Sequence, residues 1–157
     1  PASKYRDALV ILANFAVGFT VTSSSSFTPG GSVSGGGGYA TGSSVTLLAT
    51  PAAGYRFVGW IESGVIVSGS NSYSFSATAN RALTASFVPV VGIDQPTPGT
   101  LSIAWPATAT GWVLQESADL SPGSWADSLR AVTVVNGESQ VSVPTSSSGC
   151  FFRLLRP

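Results

Sequence analysis

The sequence of 157 residues contains no histidine, no methionine and one cysteine, and only 9% of its residues are charged. Without histidine the chain cannot form a histidine-dependent catalytic triad or the usual zinc sites, and one cysteine cannot form an internal disulfide. Seven basic residues balance seven acidic ones. Because no basic cluster is present, an electrostatic nucleic-acid binder and a polybasic membrane-surface segment are excluded. No apolar run reaches the ~20 residues that span a bilayer.

The residues that are present favour short strands and tight turns. Hydrophobic residues make up 43% of the chain, and 18 glycines occur among many serines, threonines and valines. We therefore predict an all-β protein with enough apolar surface for a core. The chain divides into an apolar N-terminal segment (1–16), a first β domain (17–89), a linker (90–98) and a second β domain (99–157).

Apolar and polar residues alternate along several short runs of the first domain. The runs 45–49 and 83–88 both follow this pattern, which predicts strands with one buried face. The serine run 23–26 and the glycine run 35–38 are interpreted as loops, since glycine at that density suits a loop better than a strand. The serines 23–26 and 146–148 are candidate O-glycan sites, because little charge is present to solvate the surface.

Separated blocks of the first domain occur in the order that a known bacterial repeat shows. They are residues 30–35 (GGSVSG), 39–47 (YATGSSVTL), 49–60 (ATPAAGYRFVGW) and 81–87 (RALTASF). Over residues 19–88 the sequence resembles the divergent internalin-B-type B-repeat. The resemblance implies a small β-grasp-like unit of secreted or cell-surface proteins, with no catalytic residues. Tyr55, Phe57 and Trp60 in the third block are predicted to be core residues.

The second domain also shows strand and turn patterns. Residues 101–105 alternate until Pro106, which lacks an N–H and ends the strand. Asn136-Gly137 lies between the β-branched runs 132–135 and 140–143, which predicts a hairpin. Residues 151–155 are predicted to be the last strand. Short strands at this spacing indicate a β-sandwich.

The blocks of the second domain also resemble a known module. They are 101–106 (LSIAWP), 111–115 (GWVLQ), 120–125 (LSPGSW), 135–137 (VNG) and 151–154 (FFRL). Over residues 99–157 the sequence resembles the fibronectin type III-like C-terminal module of large secreted proteins of verrucomicrobial and planctomycete bacteria. This resemblance implies a small fibronectin III/Ig-like β-sandwich with a role in attachment or export.

Residues 8–17, at the end of the N-terminal segment, are apolar on both faces of a strand. Residues 11–16 resemble residues 83–88, the final strand of a B-repeat. A short helix is the alternative, because Tyr5, Leu9, Leu12 and Ala16 lie at helical spacing. An apolar strand without a partner seeks an open sheet edge. We expect the segment to dock on a neighbouring copy, or alternatively on its own middle domain, through Leu9, Ile11, Leu12, Phe15 and Val17.

Few side chains suggest chemistry or a ligand. Glu116 and Asp119 are the nearest acid pair, and we interpret both as solvated surface residues. Cys150 is interpreted as a small buried hydrophobe, with a reactive thiol or an intermolecular disulfide as the alternative. Trp112 and Trp125 are candidate glycan contacts.

These observations predict a non-enzymatic, secreted or cell-surface bacterial structural protein. We expect a subunit of an extracellular filament or surface assembly, with copies of itself as partners and strand donation as the link. The alternative is a carbohydrate- or cell-wall-binding and adhesion module of a larger exported protein. Neither hypothesis involves a cofactor, a metal, nucleic acid or a membrane span.

Overall fold

The fold was analysed in a computed structural model that describes residues 18–145 and 149–157. Within these ranges the chain forms fifteen strands and one short 3-10 helix, Thr28–Gly30. The prediction of an all-β, sandwich-like fold is therefore confirmed. The strands form two units, each built from two sheets.

The first unit contains eight strands in a five-stranded and a three-stranded sheet. The five-stranded sheet has the order β3-β1-β8-β5-β6 and the three-stranded sheet the order β2-β4-β7. β1 and β8 pair in parallel, and all other neighbours in these two sheets are antiparallel. The strands are β1 (Gly18–Ser25), β2 (Gly31–Ser34), β3 (Gly37–Ala40), β4 (Ser44–Pro51), β5 (Tyr55–Glu62), β6 (Val65–Ser68), β7 (Ser72–Ser76) and β8 (Arg81–Pro89).

The two sheets of the first unit enclose one apolar core. The alternating residues of β4 point inward as predicted, so that Val45, Leu47 and Ala49 are all buried. Trp60 of β5 is fully buried, and its Nε1 donates to the carbonyl of Asn71 at 3.3 Å. This hydrogen bond offsets the cost of removing the indole N–H from water.

The second unit contains seven strands in two further sheets. The four-stranded sheet has the order β13-β14-β10-β9 and the three-stranded sheet the order β12-β11-β15. All of their pairs are antiparallel. The strands are β9 (Gly92–Thr97), β10 (Thr100–Pro106), β11 (Val113–Ser117), β12 (Ala126–Asp127), β13 (Thr133–Val135), β14 (Glu138–Pro144) and β15 (Phe151–Leu155).

Several local predictions for the second unit are confirmed. β10 ends at Pro106, and Asn136-Gly137 joins β13 to β14. Both turn residues have positive φ, 51° and 82°, which is the backbone of a type I′ hairpin turn. One stretch differs from its expectation: residues 92–97, placed in the linker, form β9 and pair with β10. The pairing gives this proline-containing stretch a partner that local composition does not reveal.

Two predicted loops of the first unit are wrong in part. Ser23, Ser24 and Ser25 belong to β1, where their backbones pair with β8. Similarly, half of the glycine run 35–38 lies in β3, opposite β1. Strand preference depends on pairing and packing more than on residue type, and the β8 ladder keeps these polar residues extended. Ser24 Oγ also lies 3.1 Å from Thr84 Oγ1 on β8.

Candidate functional site

The two units meet in a shared apolar core. Phe27 and Tyr55 belong to the first unit, yet they are buried in the cluster that forms the core of the second. Their ring centroids lie 5.9 Å apart in a tilted arrangement. Because apolar residues of both units exclude water together, separating the units would expose part of one core. Their partners in the second unit are Ile103, Trp105, Ala109, Leu114, Val141 and Val143.

Polar and steric contacts reinforce this junction. Tyr55 Oη lies 2.9 Å from Thr108 Oγ1, and the Val90 N–H donates to the Gly54 carbonyl at 2.8 Å. Gly54 has a φ of +78°, and a Cβ at this position would lie 2.5 Å from Pro106 Cγ. Gly54 of the first unit and Pro106 of the second therefore pack together without room for an added methyl group.

The sequence did not reveal the role of Phe27 and Tyr55 at the junction. Tyr55 was predicted as a core residue of its own domain, and Phe27 was given no role. One sequence feature could have indicated this role of Phe27: it lies directly before Thr28-Pro29-Gly30. This combination places a large apolar side chain on a tight turn. Arg156 also contacts this site, with its guanidinium carbon 4.8 Å from the centre of the Phe27 ring.

An ion pair between Arg81 and Glu62 lies at the end of the first core that is far from the junction. Arg81 donates to both carboxylate oxygens of Glu62, and its guanidinium carbon lies 4.2 Å from the Phe75 ring centre and 5.6 Å from that of Tyr73. The hydrogen bonds from Arg81 lower the pKa of Glu62 below its ordinary value, while the same pair raises the pKa of Arg81. Two charges held this way cover apolar rings and stabilise the fold.

Glu116 and Asp119 each have a hydrogen-bond partner of their own in the second unit. Glu116 accepts a hydrogen bond from Arg130 Nε at 2.9 Å. Asp119 accepts hydrogen bonds from Ser121, which lower the pKa of its carboxyl. Both acids therefore have local hydrogen-bond partners. Within residues 18–145 and 149–157, no group of three or more acidic or cysteine side chains could hold a metal ion.

Cys150 is half-buried and lies beside β15. Its Sγ lies 3.7 Å from the Phe151 carbonyl. Together with Glu116 and Arg130 it lines an open cavity of about 310 Å³. The side chain is thus neither the fully buried hydrophobe of the first interpretation nor a fully exposed thiol.

The two tryptophans predicted as glycan contacts occupy different environments. Trp112 packs against the second core and lines a cavity of about 160 Å³ with Trp105. Its Nε1 is buried without a hydrogen-bond partner. Trp125 lies under Arg153, whose guanidinium carbon is 4.2 Å from the ring centre. One face of Trp125 is therefore occupied by a side chain of the protein itself. Glycan contact by these residues stays a prediction.

The predicted assembly residues Leu9, Ile11, Leu12, Phe15 and Val17 lie outside the described residues, as do the predicted glycan sites at 146–148. What the structure shows is the position of Gly18, where the described chain begins β1. Gly18 is at the end of the first unit opposite the junction, because β1 runs from there toward Phe27.

The second core is open along β15. Phe152 and Leu154 of this strand pack against the core but stay half-buried. Beside them is a groove of about 230 Å³ whose apolar lining includes Leu101, Val143 and Phe152. On the other side of the same core, Val141 and Val143 of β14 are only 1% and 5% exposed. The core is therefore well covered by one sheet and incompletely covered at the β15 edge.

Comparison with known families supports the interpretation of the first unit. Residues 19–91 match the family model described as the divergent InlB B-repeat domain. This family is associated with bacterial surface proteins and is typically non-catalytic. A B-repeat-like domain indicates an extracellular surface or adhesion module.

No curated protein and no solved structure matches the chain. The fibronectin III-like resemblance of the second domain therefore stays a prediction. In the part of the chain that the structure describes, no helix is long and apolar enough to cross a membrane.

Proposed function

We propose that this chain is a non-enzymatic structural module of secreted bacterial surface assemblies, and that copies join end to end through the apolar N-terminal segment. Support for the surface role comes from the B-repeat match over residues 19–91. Glu116 and Asp119 of the second unit are engaged in local hydrogen bonds, and the chain has no histidine to activate a nucleophile. These features favour a protein that acts through its surfaces.

The polarity of the molecule is the observation that carries the assembly proposal. Phe27, just beyond the end of β1, packs into the second unit, whereas Gly18 begins β1 at the opposite pole. Seven steps of a β-strand separate Gly18 from Ser25, which is roughly 23 Å. Gly18, which follows the N-terminal segment in the sequence, therefore lies at the pole far from the second unit.

This polarity determines the kind of assembly that strand donation would build. A segment at one pole that binds the other pole of a neighbour makes a head-to-tail contact, which extends into a filament unless its rotation closes a ring. The formal net charge of zero and the low charged fraction of 9% provide little repulsion between copies.

Deleting residues 1–16 tests the proposal directly. We expect the full chain to form polymers visible by negative-stain electron microscopy and the deleted chain to elute as a monomer. Circular dichroism should show that the deleted chain keeps its β structure, because the two cores lie in the described residues. A deleted chain that polymerises like the full chain would refute strand donation.

A point substitution provides a milder test of the same segment. Leu12→Asp places a charge in the apolar run, and we expect it to prevent polymer formation because a buried, unpaired carboxylate is costly. Ser3→Asp adds the same charge to the same segment outside the run and serves as the matched control. Equal effects of the two substitutions would show that net charge, and not burial of the run, controls assembly.

A glycan-binding role is the second candidate, and one observation favours it. Trp112 lines a cavity with Trp105, and its Nε1 has no partner in the protein. An unpaired buried donor beside an aromatic wall could bind an acceptor oxygen of a sugar. Binding on a glycan array that is lost in Trp112→Ala but kept in Trp125→Ala would support this role. Absence of binding by the intact chain would exclude it for the glycans tested.

A further inference from the structure

β15 has an open edge. It pairs with β11 on one side through five residue pairs, and among the described residues no strand pairs with its other side. The N–H and C=O groups on that side are available to another strand. The only charged residue of β15 is Arg153, which donates to Gln115 at 2.9 Å and covers Trp125. The charge of Arg153 therefore lies over its own sheet and does not prevent another strand from pairing with the free edge of β15.

The strand order of the second unit can be compared with that of the immunoglobulin-type sandwich. In the immunoglobulin-type sandwich, strands A, B, E and D form one sheet and strands C, F and G the other. β9, β10, β14 and β13 follow the order A-B-E-D, and β11 pairs with β15 as C pairs with F. The position beside β15 corresponds to that of strand G. Among the described residues no strand occupies this position, and Phe152 and Leu154 of β15 are half-buried.

We propose that the open edge of β15 accepts the apolar segment 8–17 of a second copy as an added strand. The inference rests on the proposed strand donation and names its acceptor. The segment carries no charge and is apolar on both faces, so alternate residues would enter the groove beside Leu101, Val143 and Phe152. Its backbone would pair with β15, and its side chains would complete the second core.

Three other edge strands of the described chain, β9, β3 and β6, suit such a strand less well. β9 contains Pro96 and a register shift, and β3 is half glycine, all of which are features that weaken strand pairing. Of these three, β6 is the strongest competitor, because Val65 and Ile66 are 64% and 55% exposed. However, β6 has only four residues and a register shift against β5, and no groove with apolar lining adjoins it among the cavities of the described residues.

The geometry favours a second copy over the same chain. A ten-residue strand extends about 33 Å. Returning from Gly18 to the junction requires roughly 23 Å along the first unit, which uses about seven of those residues. The remaining three cannot cover β15, whose pairing with β11 spans five positions. Segment 8–17 of a neighbouring copy would reach the β15 edge without first running back along the first unit.

Disulfide cross-linking between two full-length chains tests the acceptor. Both chains carry Cys150→Ser to remove the native thiol. One chain carries Leu155→Cys, which lies at the outer face of β15, and the other carries one cysteine at a time at positions 9–16. Every disulfide is then intermolecular between donor and acceptor, or a symmetric product that mass spectrometry identifies. A matched acceptor, Ile66→Cys, places the thiol on the competing edge β6.

We expect cross-linked peptides that join residue 155 mainly to one donor position, the residue directly opposite it, because a disulfide requires Cα atoms within about 7 Å and each residue adds about 3.3 Å along a strand. The other donor positions should give little product, and Ile66→Cys should give none above background. Cross-links to residue 66 instead, or equal yields at all donor positions, would overturn the proposal. If deletion of residues 1–16 abolishes polymers while residue 155 never cross-links, strand donation holds and the acceptor is another edge.

Discussion

Replacing Gly54 with alanine should weaken the junction between the two units. Gly54 has a φ of +78°, and an added Cβ would lie 2.5 Å from Pro106 Cγ. The left-handed backbone costs a non-glycine residue about 1–2 kcal/mol. Forcing extra atoms into a packed contact costs about 1–3 kcal/mol more. We therefore expect the free energy of unfolding to fall by about 2–5 kcal/mol, a large part of the ~5–15 kcal/mol typical of a folded domain.

Gly64 provides the matched control. Its φ is +82°, and an added Cβ there would meet no heavy atom within 4 Å. Gly64→Ala should therefore carry the backbone cost alone, about 1–2 kcal/mol. Urea unfolding of both variants, followed by tryptophan fluorescence, measures the difference. The account is refuted if Gly54→Ala is no more destabilising than Gly64→Ala, because the contact with Pro106 would then contribute nothing.

Three further predictions follow from the cores and the ion pair. Tyr55→Phe should lower the free energy of unfolding by about 0.5–1.5 kcal/mol, and a double-mutant cycle with Thr108→Val should show coupling; additive effects would mean that the 2.9 Å contact is not a bond. Leu47→Ala should cost about 2–5 kcal/mol, whereas its exposed neighbour Leu48→Ala should cost less than about 0.5 kcal/mol, both by urea unfolding. Glu62→Gln should cost about 1 kcal/mol at pH 7. Because folding lowers the pKa of Glu62, this difference should shrink as the pH falls below 4.5, and a difference that grows in acid would contradict it.

The sequence predicts the local features of this fold well, for physical reasons. Alternation along 45–49 places Val45 and Leu47 inside, because one face of β4 packs against the opposite sheet. The Asn136-Gly137 turn follows from the positive φ that both positions require. These features depend on neighbours in sequence, so they can be inferred without a structure.

Long-range pairing could not be inferred in the same way. The serines of β1 look like loop residues until β8, about 60 positions further along the chain, pairs with them. The residues 92–97 look like a linker because of Pro96 and the following Pro98, and only their pairing with β10 makes them a strand. Phe27 and Tyr55 belong to one unit by sequence, and their place in the core of the other depends on tertiary packing.

The open edge of β15 could not be predicted from the sequence for a related reason. Residues 151–155 were predicted to be a strand, and they are one. Whether a strand has one neighbour or two depends on the order of strands in its sheet, which local periodicity does not contain. The candidate acceptor therefore emerges from sheet order and from the half-buried Phe152 and Leu154.

The most direct test of the account is a cryo-electron microscopy map of the assembled full-length protein. The account predicts a continuous strand beside the free edge of β15 that leads into β1 of the neighbouring copy, with its side chains in the groove lined by Leu101 and Phe152. A polymer in which the β15 edge faces solvent, or a full-length protein that stays monomeric at every concentration, would contradict it.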